Sequence, residues 1–120
     1  MSKLRLILAA FAAAALLAVP VSLAASAATT LTGTVGPGFT ITLKKGSAKV
    51  TKLTPGKYTL KVTDKSNIHD FHISGPGLNK VVTSVGFVGS KTISVTLKKG
   101  TYKYVCDPHA AAMKGSFKVG

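Results

Sequence analysis

The 120-residue sequence contains no glutamate, a single cysteine and only three acidic residues, Asp64, Asp70 and Asp107. One cysteine, Cys106, excludes any disulfide within the chain. So few carboxylates leave a hydrolase without an evident general base, unless Asp70 or Asp107 were to serve. Helical patterning is missing as well: nothing in residues 29–120 reads as a helix of useful length.

Long apolar runs are confined to the start of the chain. Lys3 and Arg5 precede an uncharged run from Leu6 to Val19, Pro20 breaks it, and small residues fill Ser22 to Ala28. Ala25-Ser26-Ala27 supplies an A-x-A cleavage site, so the order is that of a secretory signal peptide. A membrane-spanning helix needs roughly 20 apolar residues, more than this run provides. No cysteine sits near the cleavage site to carry a lipid. Residues 1–28 are thus expected to be a signal peptide and 29–120 one exported domain, secreted or periplasmic. A domain of that size buries a marginal core, and outside the cell it usually gains disulfides or a metal. With disulfides excluded, either a metal is the remaining staple or the sandwich manages alone.

What the chain has in excess is lysine. Sixteen Lys and Arg face three acids, a formal charge of +13. Without Lys3 and Arg5, fourteen lysines remain against the three aspartates, or +11 for residues 29–120. Such a surface attracts anionic partners at low salt. The lysines are spread along strands and turns, which is also how a plain solvated surface looks. For an exported protein the expected partners are acidic proteins or an anionic envelope surface, polymer or lipid headgroup, rather than nucleic acid.

Valine, threonine, isoleucine and tyrosine dominate beyond residue 28, and Gly or Pro punctuates every eight to twelve residues. The pattern predicts eight strands: Leu31–Val35, Phe39–Leu43, Lys57–Asp64, His69–Ser74, Val81–Val85, Lys91–Leu97, Thr101–Cys106 and Ser116–Val119. Tyr58, Leu60 and Val62 alternate with Lys57, Thr59 and Lys61, and Ile93, Val95 and Leu97 with Thr92, Ser94 and Thr96. One dry and one wet face per strand implies two sheets packed face to face. Leu53-Thr-Pro-Gly56-Lys-Tyr58 also echoes Leu97-Lys-Lys-Gly100-Thr-Tyr102, as two elements entering a sheet by similar turns would.

Chemistry concentrates in Gly100-Thr-Tyr-Lys-Tyr-Val-Cys106-Asp-Pro-His109-Ala-Ala-Ala-Met113-Lys-Gly115. Tyr102, Tyr104 and Cys106 share a face, so the thiol arrives on the core side at the strand's end. The two tyrosines are core residues whose hydroxyls should reach a backbone partner. A turn at Asp107-Pro108 can swing His109 back beside the sulfur, and Met113 follows four residues on. Thiolate, imidazole and thioether are the soft and borderline ligands that suit copper. A second imidazole must come from His69 or His72. Alternation puts His69 with Phe71 and Ile73 on the inward face, and His72 with Asp70 on the other.

Gly-x-Tyr-x-Tyr-x-Cys-x-Pro-His followed by Met, with an upstream His at a strand start, resembles plastocyanin, amicyanin and pseudoazurin, the type 1 copper proteins of the cupredoxin family. The resemblance implies a Greek-key β-sandwich of about eight strands. It also implies a trigonal set of His69, Cys106 and His109, Met113 as a weak axial ligand, and one copper cycling between Cu(I) and Cu(II) to shuttle electrons. Two departures stand out. Three residues separate His109 from Met113, where plastocyanin-like loops have four and amicyanin-like loops two. The residue after the first histidine is Asp70 rather than Asn, and an ionised carboxylate only accepts hydrogen bonds. Asp70 and Asp107 are therefore candidates for bracing the ligands and setting the potential.

The expected function is electron transfer by a monomer that is not an enzyme, with His109 as the port and Ala110, Ala111 and Ala112 as the contact patch. Lysines such as Lys114 and Lys80 would steer an acidic redox partner toward it. The alternatives are a copper carrier or buffer, a basic surface-binding sandwich with a vestigial site, a His₂Cys zinc site, and a nucleophilic Cys106.

Overall fold

The computed structural model of the protein describes residues 27–120. Residues 1–26 of the expected signal peptide at 1–28 lie outside the described residues.

Ten strands form two five-stranded sheets and, among the described residues, no α-helix. They are β1 (Thr29–Val35), β2 (Ile41–Lys45), β3 (Ala48–Lys49), β4 (Lys52–Leu53), β5 (Gly56–Asp64), β6 (Phe71–Gly75), β7 (Leu78–Thr83), β8 (Gly89–Leu97), β9 (Gly100–Val105) and β10 (Lys114–Val119). One sheet has the order β3-β2-β1-β5-β8 and the other β4-β10-β9-β6-β7. The all-β sandwich is the one expected. Eight strands match the expected ones in place, and β3 and β4 are added two-residue pairings.

Alternation decides which residues fill the space between the sheets. Leu31, Val35, Leu60, Val62, Val95 and Leu97 face inward from one sheet. Phe71, Ile73, Tyr102, Tyr104, Phe117 and Val119 meet them from the other. Phe71 stacks on Tyr104 and Tyr102 on Phe117, with interplanar angles of 4° and 12°. The Tyr102 hydroxyl donates to the Pro76 carbonyl at 2.6 Å, and the Tyr58 hydroxyl to that of Thr54 at 2.6 Å.

The ladders also fix which ends lie together. Val35 pairs with both Ile41 and Asp64, Asp64 with Gly89, Phe71 with Thr83, and Val105 with both His72 and Lys114. Loops 36–40, 65–70, 84–88 and 106–113 therefore gather at one end of the sandwich. Two loop bonds tie them together: Lys65 N–H donates to the Val35 carbonyl and Gly86 N–H to that of Asn67.

Several local expectations are corrected. β6 begins at Phe71, because its register shifts at Phe71/His72 and its ladder with β9 starts at His72. Alternation does not extend back across that irregularity, so Asp70 is buried together with His69 instead of sharing the outer face of His72. Phe39 lies in the loop before β2, β7 runs Leu78–Thr83, and Cys106 directly follows β9. Lys80, expected near His109, pairs with Ile73 partway along the sandwich.

Candidate metal centre

The Cys106 loop is shaped by its own backbone. Cys106 N–H donates to the Met113 carbonyl at 3.0 Å, and the Cys106 carbonyl accepts from His109 N–H at 3.0 Å. The His109 carbonyl in turn accepts from Ala112 N–H at 3.0 Å and Met113 N–H at 2.8 Å. Pro108 sits in the first turn of the short 3₁₀ segment Asp107–His109, where its fixed φ suits the bend and its missing N–H costs nothing. Three residues after Cys106, the chain has turned His109 back over the sulfur.

His69 arrives from the 65–70 loop. Its Nδ1 lies 3.6 Å from Cys106 Sγ, the His109 Nδ1 lies 3.6 Å from the same sulfur, and the two Nδ1 atoms are 3.1 Å apart. Gly36, with φ +73°, passes so close that a Cβ there would sit 3.1 Å from His69 Cδ2. The sequence offered both His69 and His72 as the second imidazole, and only His69 enters the cluster. His72 lies on the outer face between Asp107 and Asn79. Met113 is fully buried and is bound through its backbone to both Cys106 and His109.

The donor set fits a metal ion. Two ring nitrogens and a sulfur converge from two loops, and a trigonal centre with bonds near 2 Å requires donor–donor separations of about 3.5 Å. Burial pushes the Cys106 thiol up. A coordinated cation reverses that, because it deprotonates a ligating thiol outright. Cys106 is also fully buried, so no substrate reaches it as a nucleophile.

Asp70 is hydrogen-bonded to the cysteine loop at two points. Its N–H points at Cys106 Sγ at 3.5 Å, and its Oδ1 accepts from Asp107 N–H at 2.6 Å, joining the His69 loop to the cysteine loop. Burial, and then the neighbouring Asp107, raise its carboxyl to about 6. Asp107 is half-exposed and is pulled down by its bond with the Asp70 carboxyl and then by His72, 3.0 Å away. His72 is raised, first by donating from Nε2 to the Asn79 side-chain oxygen and then by its bond to Asp107, since only the imidazolium donates from both nitrogens.

One participant was not singled out from the sequence. The Phe39 ring stands edge-on to His69 and His109, with centroids 5.4 and 4.9 Å away, while remaining 60 % exposed. Its signal was an aromatic directly after Gly36-Pro37-Gly38, a turn that holds a side chain out of strand alternation. Ala110, Ala111 and Ala112 are exposed beside half-buried His109. Ile68, Val85 and Val88 are exposed on the loops of the same end.

Residues 21–120 match the family model described as copper binding proteins of the plastocyanin/azurin family. The chain belongs to this family. Its cofactor is a single copper of the type 1 class, with which the His69, Cys106 and His109 cluster is compatible. No curated protein sequence matches the chain. Among solved structures it is similar to the copper protein rusticyanin, at TM-score 0.56 and 20% identity over 78% of this chain and 80% of that one. Reduced rusticyanin matches at TM-score 0.53 and 23% identity, over 78% and 81%. A chain of a heme-copper terminal oxidase dimer matches at TM-score 0.54 and 23% identity, over 76% and 63%. At these identities the likeness is one of fold.

Proposed function

We propose that this cupredoxin carries single electrons, with Cys106, His69 and His109 to hold the copper and the thioether of Met113 to tune it. The observation that carries the reading is the buried triangle of Sγ and two Nδ1 atoms, with edges of 3.6, 3.6 and 3.1 Å. Copper held there supplies a one-electron Cu(I)/Cu(II) couple. The chain's own residues keep that geometry fixed: the Asp70 N–H steadies the sulfur, the Met113 carbonyl holds the Cys106 backbone, and Phe39 shields both rings from water. Residues 29–120 form the working domain, and the leader at 1–28 takes it outside the cytoplasm.

Met113 tunes the site under this reading. Met113→Leu is expected to raise the reduction potential while one copper per chain stays bound, because losing a thioether disfavours Cu(II). Voltammetry with metal analysis checks both. Loss of copper would make Met113 a principal ligand, and an unchanged potential would make it core packing.

His69 is buried and His109 reaches the surface, so the electron's path runs through His109 and its apolar surround. A redox partner protein with acidic groups around its contact would be drawn in by Lys65 and Lys114 and would press on Ala110, Ala111 and Ala112. Small, weak contacts suffice for such encounters. Ala111→Glu is expected to slow electron exchange with such a partner about tenfold at low salt, with the visible spectrum unchanged. Added salt should slow the unmodified protein. Stopped-flow rates indifferent to both changes would move the assignment to copper carriage.

A further inference from the structure

The fourteen lysines of residues 29–120 have almost nothing to pair with. Asp64 and Asp70 are buried, which leaves Asp107 as the one exposed aspartate, and it is held by His72. No lysine among the described residues lies within ion-pair distance of a carboxylate.

Their placement is uneven. Lys57 is the second residue of β5, beside Gly56, which pairs with Leu97; Lys98 and Lys99 form the next turn; Lys118 pairs with Lys52 at the end of β10. Lys45 and Lys52 line a concavity with Tyr58 and Gly120 at the same end. All six are exposed, and all lie opposite the Cys106 loop. At the cluster end the exposed lysines Lys65 and Lys114 stand among apolar side chains, Phe39, Ile68, Val85, Val88 and the three alanines.

The lysines come from both sheets, so they outline a rim rather than a line. A planar array of phosphates meets such a rim at once, whereas a linear polyanion reaches one side of it. The chain also enters the sandwich here, since Thr29 pairs with Tyr58. Cleavage after Ala27 or Ala28 would leave the new α-ammonium at this end.

We propose that this lysine-rimmed end docks on an anionic phospholipid bilayer. The docking does not use the metal centre. Its consequence rests on the electron-transfer reading: the apolar end with His109 faces away from the membrane, open to a redox partner.

The test is partition of the full chain onto vesicles of phosphatidylcholine with and without phosphatidylglycerol. The neutral vesicles register whatever residues 1–28 contribute, which is common to every variant. Binding should rise with phosphatidylglycerol and fall with salt. Lys98→Gln with Lys99→Gln should weaken the anionic increment roughly fivefold per lysine, about 25-fold for the pair. Lys65→Gln with Lys114→Gln, at the other end, should change it less than twofold, and Val88→Asp should leave it unchanged. Equal losses from both lysine pairs would mean undirected attraction and overturn the proposal. Loss with Val88→Asp would mean that the apolar end inserts instead. Displacement by soluble polyphosphate at equal phosphate concentration would make the occupant a linear polyanion. A failure on any of these counts leaves the copper colour intact, so it is distinguishable from failure of the electron-transfer reading.

Discussion

Replacing Cys106 by alanine is expected to abolish the visible colour of the copper-loaded protein and to lower its copper affinity by more than 100-fold, whereas His72→Ala leaves both nearly unchanged. The colour requires a thiolate on copper, and Cys106, the chain's one cysteine, sets its Sγ against two imidazole nitrogens. Changing a supporting residue around a metal typically costs 10–100-fold in affinity, and removing the anionic ligand itself costs more. His72 sits on the opposite face of β6 and reaches the cluster only through Asp107 and Asp70. Copper titration of the two variants followed by absorption separates them. Bleaching by His72→Ala would mean that β6 is paired one residue out of register, because a one-residue slip exchanges the two faces.

Gly115→Ala should be the most damaging single-methyl change near the site. A Cβ at Gly115 would stand 2.2 Å from Tyr104 Cζ and 2.3 Å from its hydroxyl oxygen, far inside contact distance. The ring cannot swing aside, because it is buried and stacked on Phe71. Overpacking of this kind costs about 1–3 kcal/mol, and with an aromatic ring as the obstacle we expect the upper part of that range. For a domain of this size that is a melting temperature lower by roughly 10 °C or more. Gly115 lies two residues after Met113, whose carbonyl holds the Cys106 N–H, so the copper spectrum should broaden as well. Gly38→Ala, where a Cβ meets nothing within 4 Å, is the control and should melt within about 2 °C of the parent. Equal stability of the two variants would refute the placement of Tyr104.

Period-two alternation made the interior faces legible. Tyr58-Leu60-Val62 and Tyr102-Tyr104-Cys106 are buried as their spacing implies, because long paired strands leave a side chain only two directions. The cysteine loop was legible because its chemistry is contiguous. The echo between residues 53–58 and 97–102 also has a physical counterpart: Tyr58 donates to the Thr54 carbonyl, and Tyr102 accepts from Lys98 N–H, each four residues back. Alternation failed where the ladder does. The register shift at Phe71/His72 hid the burial of Asp70, and with it the bond through which that carboxylate ties two loops together. Periodicity places Phe39 in a strand because it cannot tell a loop aromatic from a core one. β3 pairs with β2 across the Gly46-Ser47 turn and β4 with the distant β10, both as two-residue ladders too short for alternation to reveal.

The central claim is a single buried copper bound by one thiolate and two imidazoles, and stepwise Cu(II) addition followed by visible absorption tests it most directly. An intense sulfur-to-copper charge-transfer band should grow linearly, saturate at one copper per chain, and vanish on reduction and return on reoxidation. A weak band without thiolate character, or saturation only after several equivalents, would contradict it.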